Sequence, residues 1–334
     1  MEMRYLGSTG VKVSALCFGT MTFGKNQWGV GHVREREAVE MVAACLDAGV
    51  NFFDTADVYS LGESETLLGK AIRGRREEVV IATKVRGRMG PGPNKIGLSR
   101  HHILNSVDGS LKRLGTDNID LYQVHGWDHA TPLTETLRAL DDLVRWGKVR
   151  YVGASNFAAW QLAKALWLSD RHGWARFETL QPYYSLVGRE IEHELVPLCL
   201  DQGLGILPWS PLAGGFLSGK YRKDRPAPEG ARLFGPLANF IPVDRDKAGD
   251  TLSVLEDVSR AHKAAMATVA LAWLGGRPGV TSVIIGARTM AQLRDNLKAA
   301  EITLSGEETA RLDEVSAIPM PYPQWMIGYM RQDR

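Results

Sequence analysis

Short runs of β-branched and aromatic residues alternate with stretches in which apolar positions recur every three or four residues, almost from one end of the chain to the other. The apolar runs predict eight strands, at Ala15–Phe18, Asn51–Asp54, Val79–Thr83, Ile119–Val124, Val149–Gly153, Glu178–Gln181, Gly205–Pro208 and Thr281–Ile285. Helical patterns fall between them near 34–49, 63–73, 99–115, 132–147, 157–171 and 189–202, as a pair near 246–275, and at 289–300. Ahead of the first strand, MRYL, the turn GSTG and VKVS read as a β-hairpin. Eight strands each followed by a helix favour a closed (β/α)8 TIM barrel over a doubly wound open sheet.

Two segments depart from this rhythm. Residues 210–245 form a long loop of Pro, Gly and Arg after the seventh barrel strand, on the face where barrels carry their functional loops, and read as an active-site flap. LSGEE matches a capping box, with Ser305 as N-cap and Glu308 three positions on, and predicts an extra helix from about 306 to 315. A Pro-rich, aromatic tail follows it to residue 334. With no internal repeat and no linker, the chain reads as a single domain over 1–334 with a barrel core at about 14–300.

The 334 residues include 40 Lys and Arg against 38 Asp and Glu, a net charge of +2, without a block of like charge. No field for nucleic acid or an anionic membrane is expected, and a small-molecule ligand fits better. Cys17, Cys45 and Cys199 are odd in number and far apart, as expected of reduced thiols in a cytoplasm. The N-terminus lacks a basic-then-apolar leader, and no apolar stretch approaches membrane-spanning length.

Several sequence patterns fail on inspection. No G-x-G-x-x-G follows the first strand, so a dinucleotide would not be held by a Rossmann turn. GGFLSGKY has Tyr221 where a P-loop needs Ser or Thr, and His193-Glu194 meets Pro197 where a zinc motif needs its second His. No metal site is expected, and the G-x-S-x-G of serine hydrolases does not occur. What remains is a set of polar residues at predicted strand ends. Asp54 closes the second barrel strand in FFDTADVY, Tyr59 follows in the adjoining loop, Lys84 closes the third strand and His125 the fourth. Each alone could be a cap, a satisfied half-buried residue or a solvated lysine. At successive strand ends of one barrel, the four together read as catalytic.

In order and spacing these four residues resemble the catalytic tetrad of the aldo-keto reductases, close to the branch of the potassium-channel β subunits. The resemblance extends from the hairpin to about residue 300 through LGTDNIDLYQVH, KVRYVGASNF, LQPYYSL, PWSPLAGGFLSGKY and IIGARTMAQLRDN. It implies a (β/α)8 barrel that binds NAD(P)H extended across its C-terminal face, which accounts for the missing Rossmann motif. Tyr59 is then the general acid of carbonyl reduction. A phenol of pKa about 10 is a poor acid at neutral pH. A unit positive charge about 4 Å away contributes about 4 kcal/mol at an effective dielectric near 20, which is roughly three pH units. Lys84 is placed to supply it, Asp54 to hold the ammonium, and a neutral His125 to donate to the carbonyl oxygen.

The same resemblance implies cofactor contacts. Gly19, Thr20 and Met21 fit the stretch on the ribose side, with Asp54 nearby; Ser155, Asn156 and Gln181 fit the carboxamide set, and Trp209 would stack on the nicotinamide. Ser210, Pro211 and Leu212 follow Trp209 at its strand end and belong to the same cofactor set, and Gly214, Gly215, Lys220 and Arg232 resemble the flap over the pyrophosphate. Ile285, Gly286, Arg288, Gln292 and Asn296 fall in the motif beside the adenosine. Here the sequence departs from the best-known mammalian reductases, which have Lys-Ser at Gly286-Ala287 and arginine at Gln292. Arg288 or Arg232 could instead fork onto a 2′-phosphate, which favours NADPH over NADH.

The expected function is therefore reversible, NADPH-dependent reduction of aldehydes or ketones, with a cofactor-sensing regulatory protein as the alternative. Trp28, Trp127, Tyr322 and Trp325 are candidates for an aromatic substrate mouth, which would favour bulky cyclic or aromatic carbonyls. The physiological substrate and the oligomeric state are not legible.

Overall fold

The computed structural model describes residues 1–25, 27–30, 32–221, 240–241 and 243–331. Strands β1 (Met3–Tyr5) and β2 (Lys12–Ser14) pair antiparallel, Met3 opposite Ser14. The alternation that follows is β3 (Leu16–Gly19), α1 (Glu35–Asp47), β4 (Phe52–Asp54), α2 (Glu63–Ala71), β5 (Val80–Val85), α3 (Arg100–Leu114), β6 (Ile119–Val124) and α4 (Leu133–Arg145). It continues with β7 (Val149–Ser155), α5 (Ala159–His172), β8 (Phe177–Gln181), α6 (Leu195–Gln202), β9 (Gly205–Ile206), α7 (Arg245–Ala261), α8 (Met266–Gly275), β10 (Val283–Ile285) and α9 (Met290–Leu297). Helices α10 (Gly306–Val315) and α11 (Gln324–Met330) complete the described chain.

Strands β3 to β10 form one parallel sheet of eight in the order β10-β3-β4-β5-β6-β7-β8-β9. The remaining seam, between β9 and the approach to β10, is closed by backbone bonds. Ile206 N donates to Gly279 O and Thr281 N to Ile206 O at 2.9 Å each, and Ile284 N donates to Pro208 O at 3.0 Å. The predicted (β/α)8 barrel is thus formed, with the hairpin across its N-terminal end.

Because successive strand residues face opposite ways, the barrel sorts its interior into layers. Cys17, Phe52, Ala82, Leu121, Leu207 and Ile284 make a lower apolar layer, plugged from the hairpin by Leu6 and Val13. Two residues further along the strands come Gly19, Asp54, Lys84 and Gln123, so the next layer is polar. Outward-facing residues such as Phe18, Phe53, Ile81, Tyr122 and Val124 pack against the helices in the larger core. The barrel floor is therefore dry and the C-terminal mouth carries the chemistry.

Differences from the sequence expectations are local. The predicted helix 189–202 is a 3-10 turn at Glu190–Glu192 followed by α6, which starts at Leu195 so that Pro197 falls in its first turn, where a missing N–H costs nothing. The tail carries a short helix, α11, that its prolines concealed. The capping box is present, with Glu308 N donating to Ser305 Oγ at 3.2 Å and Ser305 N to Glu308 Oε2 at 2.8 Å. Most of the predicted 210–245 flap, Arg232 included, lies outside the described residues.

Candidate active site

The four residues at successive strand ends converge. Asp54 ends β4 and Lys84 is the fifth residue of β5; their register, Asp54 opposite Ala82, sets the longer lysine beside the carboxylate. Lys84 is fully buried and all three ammonium protons find acceptors: Asp54 Oδ1 at 2.5 Å, Thr55 O at 2.8 Å and Tyr59 Oη at 3.3 Å. Burial by itself would strip the charge, but the Asp54 carboxylate and Tyr59 outweigh it and hold the Lys84 ammonium above its ordinary pKa. Asp54 is fixed in turn, its Oδ2 accepting from Gln123 Nε2 at 3.1 Å and Gln181 Nε2 at 2.9 Å.

Tyr59 opens a tight turn in which Ser60 and Leu61 adopt left-handed backbone, pinned by Ser60 Oγ donating to Phe23 O at 2.9 Å. This raises the half-buried phenol into the barrel mouth, edge-on to the His125 ring at 5.8 Å between centroids. Desolvation, then the charges of Lys84 and Arg86, push His125 down to about 3, so its ring is neutral at physiological pH. The backbone of His125 is held by Val85 O and by Asn156 Nδ2, which donates to His125 O at 2.9 Å. Its ring nitrogens have no hydrogen-bond partner among the described residues, and the residue lines a cleft of about 730 Å³. Trp28, Val58, Leu61, Arg86, Asn156 and Phe240 also line it.

The sequence-predicted cofactor residues are distributed along the same face. Ser155 is buried, donating to Gln181 O at 2.8 Å, while Asn156 bridges outward, its Oδ1 accepting from Trp209 Nε1 at 3.1 Å. Trp209 is half-buried and tilts against Tyr183 at 5.3 Å. Ser210, Ala213, Gly214 and Gly215 all have left-handed backbone, and Ser210 Oγ accepts from Gly214 N, so Pro211 and Leu212 sit inside a tightly coiled turn. Lys220 is exposed at its end, its Nζ over the Tyr221 ring at 5.4 Å. Beyond Ile285, Asn296 is buried and donates to Gly286 O at 3.0 Å. Gln292 Oε1 accepts from Arg288 N, and Arg288 reaches across to Gly29 O at 3.1 Å.

Five of the expected residues make packing or hydrogen-bond contacts of their own. Thr20 is buried, with its hydroxyl 2.8 Å from Ser64 Oγ and its amide on Asp54 O, so its side chain locks the first loop to the second. Gly19 is small because a Cβ there would come within 2.7 Å of Ile284 Cγ2. Trp127 packs edge-on against Phe157 and tilted against Trp160, at 5.3 and 5.6 Å, and is not among the residues lining the cleft. Tyr322 and Trp325 pack on one another at the surface, also outside the cleft lining. Of the four expected mouth aromatics only Trp28 lines the cleft; Trp127 packs against Phe157 and Trp160, and Tyr322 and Trp325 stay exposed on the tail. Met21, two residues after the first barrel strand, is half-buried.

Sequence reading missed Gln123, Tyr183 and Arg86. The signal for Gln123 was present as one polar residue inside the apolar strand IDLYQV, two positions before His125 and on the same face.

The family model described as the aldo/keto reductase family matches residues 15–317, which takes in the whole barrel and the four converging residues. The chain belongs to the aldo/keto reductase family. It is 42% identical to the uncharacterized oxidoreductase YrpG of Bacillus subtilis, over 94% of this chain and 96% of that one. It is 35% identical to the versiconal hemiacetal acetate reductase of Aspergillus parasiticus, over 94% and 96% of the two chains. It is also 39% identical to the "Probable voltage-gated potassium channel subunit beta" of Arabidopsis thaliana, over 90% and 92%. Both the fold and the oxidoreductase family are thereby established for this chain. Among the described residues no helix is long and apolar enough to cross a membrane, and the three cysteines are free and buried.

Proposed function

We propose that this protein reduces aldehydes or ketones to alcohols, reversibly and in the cytoplasm, with NADPH as the reductant. The observation that carries the reading is the shared ammonium of Lys84, bonded at once to Asp54 and Tyr59 beside a neutral His125 that lines the cleft. A reduced nicotinamide, when bound, would supply the hydride. The donor set along the face suits such a cofactor: the Ser155–Asn156 pair and Gln181 for an amide, the Trp209 ring for stacking, and the left-handed turn 210–215 with Lys220 for phosphates. Arg288, joined to Gly29 across the first loop, is the described guanidinium for a 2′-phosphate.

In this reading a carbonyl oxygen sits between Tyr59 Oη and the His125 ring. His125 donates a hydrogen bond and polarises the carbonyl, and Tyr59 gives its proton to the oxygen as charge develops there. Lys84 bonds the phenolate that remains, while Gln123 and Gln181 hold Asp54 so that the ammonium keeps its place. Since His125 is neutral down to about pH 3, it imposes no limb on the activity profile near pH 6.5. Trp28 and Phe240 on the cleft wall support a preference for bulky cyclic or aromatic carbonyls.

The test is carbonyl-dependent oxidation of NADPH, followed by nicotinamide absorbance, in the wild type and in Tyr59→Phe. General acid catalysis is worth about 10²–10⁴ in rate, so Tyr59→Phe is expected to retain well under a tenth of kcat while binding NADPH nearly as before. Tight cofactor binding with no turnover of any carbonyl by the wild type would instead favour the regulatory reading that the channel-subunit relative suggests.

A further inference from the structure

Arg86 stands two residues beyond Lys84 on the wall of the cleft, together with His125. Its Nε donates to Trp127 O at 3.0 Å, and no other hydrogen bond or ion pair engages its guanidinium among the described residues. Asp128, whose carboxyl the Arg86 charge helps to lower, makes no ion pair with it and is committed to Leu98 N, Ala130 N and Thr131 Oγ1. The Arg86 charge contributes to lowering both the Asp128 carboxyl and the His125 ring. None of the described lining residues of the cleft is a carboxylate, and Arg88 adds a second cation at the rim.

The backbone adds an independent sign. Arg86 has φ 144°, in the region that favours glycine, although it carries a long β-substituted side chain. Strain of this kind costs about 1–3 kcal/mol and survives where the surrounding structure needs the side chain in one place. Here it aims a half-buried fork, anchored by one nitrogen, with its terminal nitrogens left for a ligand. A guanidinium so arranged matches the two oxygens of a carboxylate.

We infer that Arg86 is a substrate-selecting residue, and that the preferred carbonyl substrate carries a carboxylate on an apolar body. The inference rests on the carbonyl-reduction reading: the carbonyl lies at Tyr59 and His125, the apolar body faces Trp28 and Phe240, and the carboxylate pairs with Arg86.

The comparison is para-carboxybenzaldehyde against its methyl ester, same ring and same aldehyde, in the wild type, Arg86→Met and Arg86→Lys. The wild type is expected to favour the acid in kcat/KM. Arg86→Met should lower kcat/KM for the acid by about 10- to 100-fold and for the ester by a smaller factor, so that the preference disappears. Arg86→Lys should fall between, keeping the charge and losing the fork. A purely structural role, acting through Trp127 O, would lower both compounds alike, and that result or a wild type indifferent to the carboxylate overturns the inference. Should neither aldehyde be reduced with either nicotinamide cofactor, the underlying reading fails, and benzoate titrated into the cofactor-saturated protein decides this one separately. Binding that Arg86→Met weakens about tenfold or more sustains it; equal affinity, or no binding to the wild type, removes it.

Discussion

Asp57 is fully buried, and apart from its neighbour Val58 N its carboxylate oxygens find no hydrogen-bond partner among the described residues. Burial, then repulsion from Glu65, pushes its carboxyl up to about 8. Arg113 pulls the other way, but its guanidinium is bonded to Glu65 Oε2 at 2.6 Å. The folded state therefore keeps a proton on Asp57 that the unfolded chain releases above about pH 4, so this group makes stability fall as pH rises from about 4 through about 8. Half of that rise in pKa alone corresponds to about 3 kcal/mol at roughly 1.4 kcal/mol per pH unit. Asp57→Asn keeps the shape without the titration. Its Tm is expected to drop less than that of the wild type between pH 5.5 and pH 8.5, measured by calorimetry; parallel curves would show that Asp57 stays ionised and finds its partner elsewhere.

At the scale of elements, the interior of the barrel tolerates no extra atom where strands β6, β7 and β8 meet. A Cβ on Gly153 would lie 2.4 Å from Thr179 Oγ1, 3.2 Å from Gln123 Cγ and 3.3 Å from Leu121 Cδ1. Gly153→Ala is expected to destabilise by about 1–3 kcal/mol through overpacking, and to disturb Gln123 and with it the seat of Asp54. Gly249, within α7, has nothing within 4 Å of a built Cβ. Gly249→Ala should stabilise by about 0.5–1 kcal/mol, since only the backbone entropy of glycine is removed. Urea unfolding of the two variants tests both signs, and a Gly153→Ala protein as stable as the wild type would mean that the strands can part without cost.

For the whole molecule, the cofactor reading depends on loops far apart in the chain meeting over the barrel mouth. Arg288 follows β10, yet its guanidinium is tied to Gly29 in the loop after β3, two strands that the closed barrel makes neighbours. If this corner receives a 2′-phosphate, Arg288→Ala should weaken NADPH by one to two decades, the loss of a charge-assisted contact of about 1.5–3 kcal/mol, and NADH far less. Equilibrium titration of both cofactors checks it. Equal weakening would place the selectivity elsewhere, with Arg232 the next residue to substitute.

Much of this molecule is legible along the chain because strand and helix periods are local properties. The two-residue alternation alone sets Asp54 above Phe52, Lys84 above Ala82, and Gln123 and His125 above Leu121, so apolar floor and polar mouth are both written in the strands. The Ser305 capping box likewise marks where α10 begins, because its partners are three residues apart. Tertiary structure alone decided which long-range partners fill the space between strands. Gln123 and Gln181 reach Asp54 from 69 and 127 positions away, and no local pattern announces that both amides will point at one carboxylate. The same holds for Trp127, which packs against Phe157 and Trp160, and for Arg86, whose strained backbone and bond to Trp127 O join residues 41 positions apart. Register and packing, which join residues distant in sequence, settle those contacts; propensity and periodicity act only over a few residues.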